Sequence, residues 1–495
     1  VSIGKLMEKF YMRYLKMNLP IVISKRHRRP RSIKDCEPGL PYNEEIINGK
    51  RISLCNNEIK KRYSRIRLPI SNELLHARIT RLFPSLVKMY SKYLINLPSS
   101  VDKDQEERQL VTLNVDNLII GAGVSALGII SELPKQEKTI MIGFENNQYI
   151  IENDNSPIPQ IKKEYFLKIL KDVVKENQEK ISNGIFIGKF DEGIGFITHD
   201  KLLIIKSKRV FLATGGRYIP PIFSGNDIPG VISKNLYIRY KGKIKSVIAI
   251  GNSDDAVKIL LNVEGKRVLI NNGILFLSKY YNELINELGI EIVKVKDLKV
   301  SRQQSKLKII ADSHTFSSEA LVYAIVKQPK IDHSSNLGID YEFNSYYNVY
   351  FPKHSINGKC DNNIYIAGGM RGISDEYTSF ISGKAIVNSK YLDDLIQNLK
   401  DYTYIFDYYK GISKNSPSPY IYGNKGYLCE CEDITLNDAK KALGNGYKRV
   451  EEIKRVTGLG TGECQGKFCS YLLGSLLKDN TLITFRSPLY RLVIY

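Results

Sequence analysis

The sequence has no uninterrupted apolar run approaching the ~20 residues that a bilayer-spanning helix needs. Its opening, VSIGKLMEKFYMRYLKMNLPIVIS, lacks the apolar core and small-residue cleavage site of a signal peptide. Cysteine is sparse and odd in number, 7 in 495 residues, which argues against a secreted disulfide framework. These absences give the expectation of a cytoplasmic protein, or one peripheral at the inner face of a membrane. Acidic residues are also short: 52 Asp+Glu against 73 Lys+Arg leave +21. The excess is local. Residues 1–100 hold 21 basic and 7 acidic residues, a surplus of 14, with runs KRHRRPR and KKRYSRIR. No recognised nucleic-acid motif accompanies them.

What is present is globular. At 43% hydrophobic and 25% charged, the composition is neither disordered nor fibrous. The length suggests three or four units. The expected order begins with a basic N-terminal region and linker, 1–108. A discontinuous dinucleotide-binding domain covers 109–240 and 320–400, and a second one is inserted at 241–319. A linker (401–426), a cysteine domain (427–480) and a tail (481–495) follow. No solenoid-type repeat is seen.

DNLIIGAGVSALGII spaces Gly121, Gly123 and Ala126 as G-x-G-x-x-A, after an apolar strand and at the start of a helix. That context is what makes the spacing informative. Gly121 permits the tight turn, Gly123 lets backbone approach a pyrophosphate, and Ala126 keeps helix and strand close. Ala122 and Ser125 complete the turn. Glu145, 24 residues after Gly121, ends the next strand where a carboxylate accepts from an adenosine ribose. A ligand-free Gly turn is the bland alternative.

The second turn, SVIAIGNSDDAVKIL, is degraded. Gly251, Ser253 and Ala256 give G-x-S-x-x-A. Ser253 adds a Cβ where pyrophosphate would approach, and Asp254 and Asp255 bring negative charge to a helix N-terminus. A weak or inactive NAD(P) site is expected. No redox C-x-x-C follows either turn. No His/Asp, Ser/His or paired-carboxylate constellation is apparent, and His333 and His354 read as isolated surface or loop residues.

RVFLATGG ends a strand at Thr214 and Gly215, and IYIAGGMRG ends another at Gly368 and Gly369. This order resembles the two-dinucleotide-domain flavoproteins. The resemblance implies an α/β, Rossmann-like flavoprotein with these residues at FAD. Gly369 stands where that superfamily usually has Asp, so ATP or NAD at the same site remains open.

Cys429-x-Cys431 and Cys464-x4-Cys469 lie 32 residues apart. Four thiolates on two short loops suit iron–sulfur or zinc, and Gly458, Gly460 and Gly462 allow tight loops around a metal. The segment resembles the bacterioferritin-associated-ferredoxin-like 2Fe-2S module, with its C-x-C and C-Q-G-x-x-C. The resemblance implies Cys429, Cys431, Cys464 and Cys469 as ligands of a 2Fe-2S cluster in a small α-rich domain. Cys36, Cys55 and Cys360 are expected to pack as small apolar residues.

ATGGRYIPPIFSGNDIPGV followed by GNSDDA resembles the α subunits of heteromeric sarcosine oxidase, opine oxidase, hydrogen cyanide synthase and dye-linked L-proline dehydrogenase. HRRPRSIKDCEP resembles the end of that family's N-terminal ferredoxin-like portion, here reduced. The resemblance implies a division of labour. A D-amino-acid-oxidase-like flavoprotein β subunit oxidises a secondary amine or imino acid. The α subunit carries electrons through flavin and 2Fe-2S to an acceptor protein or quinone, with an FMN shared between subunits. Arg28, Arg29 and Arg31 are then expected to meet a partner subunit or cofactor phosphates. The alternative is a self-sufficient NAD(P)H-dependent FAD/iron–sulfur oxidoreductase.

Overall fold

The computed structural model describes residues 21–23, 30–32, 34–37, 40, 44–47, 50–53 and 108–490, save 145–147, 199, 304, 361–362, 412–413 and 463. Glu145, Arg28, Arg29 and Cys55 lie outside the described residues, as does the side chain of Arg31.

Near-continuous apolar runs, the signature of strands covered on both faces, build two parallel sheets. The first centres on Gln109–Ile120, parallel to Thr139–Gly143 on one side and to Lys201–Leu212 on the other. Ile181–Asn183 and Ile364–Ile366 extend it in parallel, and Gly193–Ile197 and Ile185–Phe190 add an antiparallel edge. Helices Val124–Glu132 and Glu376–Val387 pack against each other behind the first turn. A Cβ at Gly383 would come within 2.1 Å of Ser125 O, so the two backbones touch.

The second sheet runs Val231–Ser233, Ala320–Ala324, Val247–Gly251, Val268–Asn271, Glu291–Lys294, all parallel. It is therefore wider than the expected 241–319. Val231–Ser233 and Ala320–Ala324 are short, wholly buried runs with no period to announce them.

The expected linker and tail are also corrected, because both are packed. Tyr420 and Tyr422 are buried, and this segment pairs with the sheet body through Ile222 N–H to Tyr420 O at 2.7 Å and Leu298 N–H to Tyr422 O at 3.2 Å. In the tail, Leu489 N–H donates to Ile187 O at 2.8 Å and Tyr490 is buried. Between them stands the cysteine unit: a small antiparallel pair, Tyr427–Cys429 with Ile434–Thr435, and helices Leu436–Gly444, Val450–Thr457 and Cys469–Leu477. Thr435 caps the first of these by a reciprocal box with Asp438, and Gly458 in the left-handed region stops the second. Among the described residues no helix is long and apolar enough to cross a membrane.

Candidate functional site

The first Gly-rich turn hands a strand over to a helix. Gly121 has φ +119°, a conformation that disfavours any side chain, and a Cβ there would lie 2.4 Å from Ala213 O. Gly123 then caps Val124–Glu132 with no side chain over the helix end and no acid in the first turn. The backbone N–H groups and the helix dipole are left available to an anion.

A cleft of about 240 Å3 opens here, lined by Gly121, Ala122, Gly123, Thr214 and Gly215. Ser125, Ala126, Gly368 and Gly369 do not line it. They stand behind the turn: Ala126 is fully buried, and Cβ atoms on Gly368 and Gly369 would come within 2.6 Å of Ser125 Oγ and of Gly216 N. Gly368 thus abuts the Ser125 side chain, and Gly369 abuts the Gly215–Gly216 backbone, which leaves no room for an Asp at 369.

The opposite wall was not anticipated from sequence. It presents the cations Lys234, Arg239, Lys327 and Lys330 and the acids Asp35, Glu37 and Glu376, with His333 and Tyr490. Four cations against three acids, in a cleft that also holds a bare helix N-terminus, suit a ligand with phosphates. Its residues come from segments far apart in the chain, so no local spacing could reveal them. One signal was available: Glu37 lies in the SIKDCEP segment that carried the family resemblance.

His333 is a correction. It is buried, with Nε2 2.8 Å from Tyr490 Oη and Nδ1 unpartnered. Burial drives its pKa down to about 3, so the ring is neutral. His354 is likewise held, between Pro352 O and Tyr409 Oη at 2.6 and 2.9 Å.

The second turn is closed by the chain itself. Asn252 Nδ2 donates to Asn272 Oδ1 and Ile274 O at 3.0 and 2.7 Å. Asn252 O accepts from Phe276 N–H at 2.6 Å, and Tyr422 Oη donates to Asn252 Oδ1 at 3.2 Å. Ser253 is buried and reaches Ala324 O. The Asn272–Phe276 segment therefore occupies the mouth of the turn. The two acids act inward. Asp255 pairs with Lys234 at 3.0 Å and with Lys258 at 3.9 Å. Burial opposes its ionisation, yet these two lysines hold it well below the usual carboxylate range. Asp254 Oδ1 accepts from Ser278 N–H at 2.8 Å, and burial pushes its pKa up to about 7.

In the cysteine unit, Cys429, Cys464 and Cys469 are buried and Cys431 is half-buried. Cys431 Sγ lies 3.6 Å from Cys464 Sγ. Hydrogen bonds from Cys431 and Cys469 lower the Cys429 thiol to about 3. A hydrogen bond from Cys431 lowers Cys464. Backbone N–H groups of Gly460 and Glu432 also point at Cys429 Sγ. The loops need glycine to meet: a Cβ on Gly462 would stand 2.4 Å from Cys431 Cβ. The four sulfurs form an open chain of neighbours. Among the described residues no group of three or more His, Cys, Asp or Glu is placed to hold a single ion. An all-thiol set with N–H groups aimed at sulfur fits an iron–sulfur cluster, whose irons share the four thiols between two centres. Cys360 is buried and free, as expected. Cys36 is buried in the apolar core as expected, but as half of a disulfide instead of a free thiol.

Residues 427–479 match the family of BFD-like 2Fe-2S binding domains. Among solved structures the chain is similar to L-proline dehydrogenase from P. horikoshii, at 21% identity over 79% of this chain and 81% of that one, with a TM-score of 0.58. Bacillithiol disulfide reductase from Staphylococcus aureus (17% identity, 56% of this chain and 98% of that one) and thioredoxin reductase from T. acidophilum (12%, 57% and 99%) overlay with TM-scores of 0.41 and 0.43. No curated protein matches the chain. The fold is thus the expected Rossmann-like α/β type with a C-terminal 2Fe-2S domain.

The 2Fe-2S domain and the cleft share a wall. Fully buried Arg217 pairs with Glu37, with Asp332 at 3.0 Å, and with the carbonyl of Lys467 at 3.3 Å. Lys467 sits between Cys464 and Cys469, while Glu37 lines the cleft. Although burial opposes it, Arg217 keeps the Asp332 carboxyl well below the usual range.

Proposed function

We propose that this chain is the electron-transfer and assembly (α) subunit of a heteromeric flavin-dependent dehydrogenase or oxidase. Its substrate is a secondary amine or an imino or amino acid of the sarcosine, proline or opine type. The observation that carries this reading is the shared wall: one open nucleotide cleft and one four-thiol domain meet through Arg217. Gly121, Ala122, Gly123, Thr214 and Gly215 would hold the dinucleotide, FAD being the reading the fold favours over ATP or NAD. Cys429, Cys431, Cys464 and Cys469 would hold the cluster. Flavin supplies two-electron oxidation and a 2Fe-2S cluster supplies one-electron transfer.

The chain's own residues bind and orient. Arg239 and Lys327 offer donors to phosphates, while Lys234 and Lys330 are already paired with Asp255 and Glu37. His333, neutral and held by Tyr490, is not a proton-transfer group near pH 7. Substrate oxidation then belongs to a D-amino-acid-oxidase-like β subunit, with an FMN shared between the chains and an acceptor protein or quinone downstream. The sealed second turn opposes an NAD(P)H-dependent reductase.

The test is the absorbance spectrum, iron content and flavin content of the complex that copurifies with this chain. A flavin-plus-iron spectrum with a second subunit supports the reading. A lone chain that reduces dyes rapidly with NADH overturns it.

A further inference from the structure

Lys467 is a buried amine in an unusual setting, where burial lowers its pKa and the charges of Asp332 and Cys464 oppose that. It is 1% exposed, and its Nζ donates to two carbonyls, Cys464 O at 3.1 Å and Leu489 O at 2.7 Å. The Tyr490 ring lies 4.8 Å away. No carboxylate among the described residues forms an ion pair with it. The nearest acids are already engaged: Asp332 by Arg217, and Glu37 by Arg217 and by Lys330 at 3.2 Å. Among the described residues, the cations Arg217, Lys330 and Lys467 lie beside the carboxylates Glu37 and Asp332, and a charged Lys467 is the one with no carboxylate of its own. A buried charge without a counter-charge is costly. The group of opposite sign beside it is the four-thiol site, reached through the Cys464 loop that Lys467 itself clasps.

We propose that Lys467 sets the redox potential of the cluster held by Cys429, Cys431, Cys464 and Cys469, by supplying the buried positive charge that offsets the cluster's negative one. Lys467 is a positioning and tuning residue, since it binds the Cys464 carbonyl rather than a sulfur. Its fixed charge favours the form carrying one more electron and so raises the potential, because cluster potentials follow net charge, hydrogen bonding and burial. The tail secures it: Leu489 accepts one of its hydrogen bonds and Tyr490 covers it, while Tyr490 also faces the nucleotide cleft. Lys467 thereby lies between the two redox sites. This inference rests on the reading of the four cysteines as 2Fe-2S ligands.

The experiment is a redox titration of the full chain with dithionite, followed by electron paramagnetic resonance, alongside iron and acid-labile sulfide per chain. Lys467→Gln and Lys467→Met keep the volume and remove the charge. Both are expected to retain iron and to show a midpoint shifted to more negative potential, and Lys467→Arg is expected to recover most of the shift. An unchanged midpoint in an iron-loaded neutral variant would overturn the proposal. Should neither neutral variant hold its cluster, Asp332→Asn supplies the opposite change. It removes a nearby negative charge, so the midpoint must rise; a fall or no change would overturn the proposal. A wild-type chain with zinc and no iron refutes the cluster reading itself, and the proposal falls with it.

Discussion

The two Gly-rich turns share a backbone plan and differ in what closes them. Both follow a buried parallel strand and lead into a helix. At the first, Gly123 leaves the helix end bare and a cleft opens before it. At the second, the Asn272–Phe276 segment returns to bond Asn252, and Tyr422 adds a further hydrogen bond. Of the N-terminal acids of the second helix, Asp255 holds two lysines and Asp254 accepts from Ser278 N–H, so both serve internal structure. Duplicated architecture therefore need not mean duplicated function. One copy keeps the binding geometry, and the other has turned its polar groups into internal structure.

The largest expected effect lies on the sealed side. Lys258→Met leaves Glu376, 2.7 Å from the ammonium, without its lysine, and leaves Asp255 with Lys234 alone. Breaking a buried pair costs about 3–5 kcal/mol. Urea unfolding is expected to show that loss while bound nucleotide per folded chain stays constant; a loss below about 1 kcal/mol would mean the acids are not structural.

Next comes the open side. Gly121→Val places a Cβ against Ala213 O at positive φ, at about 2–4 kcal/mol from strain and overpacking. The folded fraction is expected to lose its nucleotide, measured by adenine released on denaturation. Retention of nucleotide in the variant would remove the turn from the binding site.

A smaller effect separates the two acids of the second turn. Asp254 keeps its proton to about pH 7 in the folded chain, whereas an unfolded Asp releases it near 4. The stability this confers is complete below about pH 4 and lost as pH rises through about 7. Asp254→Asn keeps the acceptor for Ser278 N–H and removes the titration. Its stability relative to wild type should therefore improve by about 1–3 kcal/mol between pH 4 and pH 8. A pH-independent difference would place Asp254 in a wetter setting.

The smallest expected effect is none at all. NADH added to the purified chain should leave both the visible spectrum and a dye acceptor unchanged over minutes.

Much of this was legible because it is local. Gly121-x-Gly123, the cysteine spacing and the charge at Asp254–Asp255 are each contained in a few residues. What escaped notice is assembled from distance. Arg217 meets Glu37, 180 positions away, and Lys467, 250 positions away. Tyr420 and Tyr422 sit in a stretch that reads as a linker, yet they are core because they pair with Ile222 and Leu298. Ser125 and Ala126 belong to the motif but serve packing, since Gly383 presses the neighbouring helix onto them. Spacing identifies a turn; only its tertiary neighbours decide whether it is open.

The most direct measurement is the amount of adenine nucleotide released from the purified, denatured chain. One open and one sealed turn require one equivalent per chain, lost in Gly121→Val. Two equivalents, or one that survives in Gly121→Val, would contradict the account.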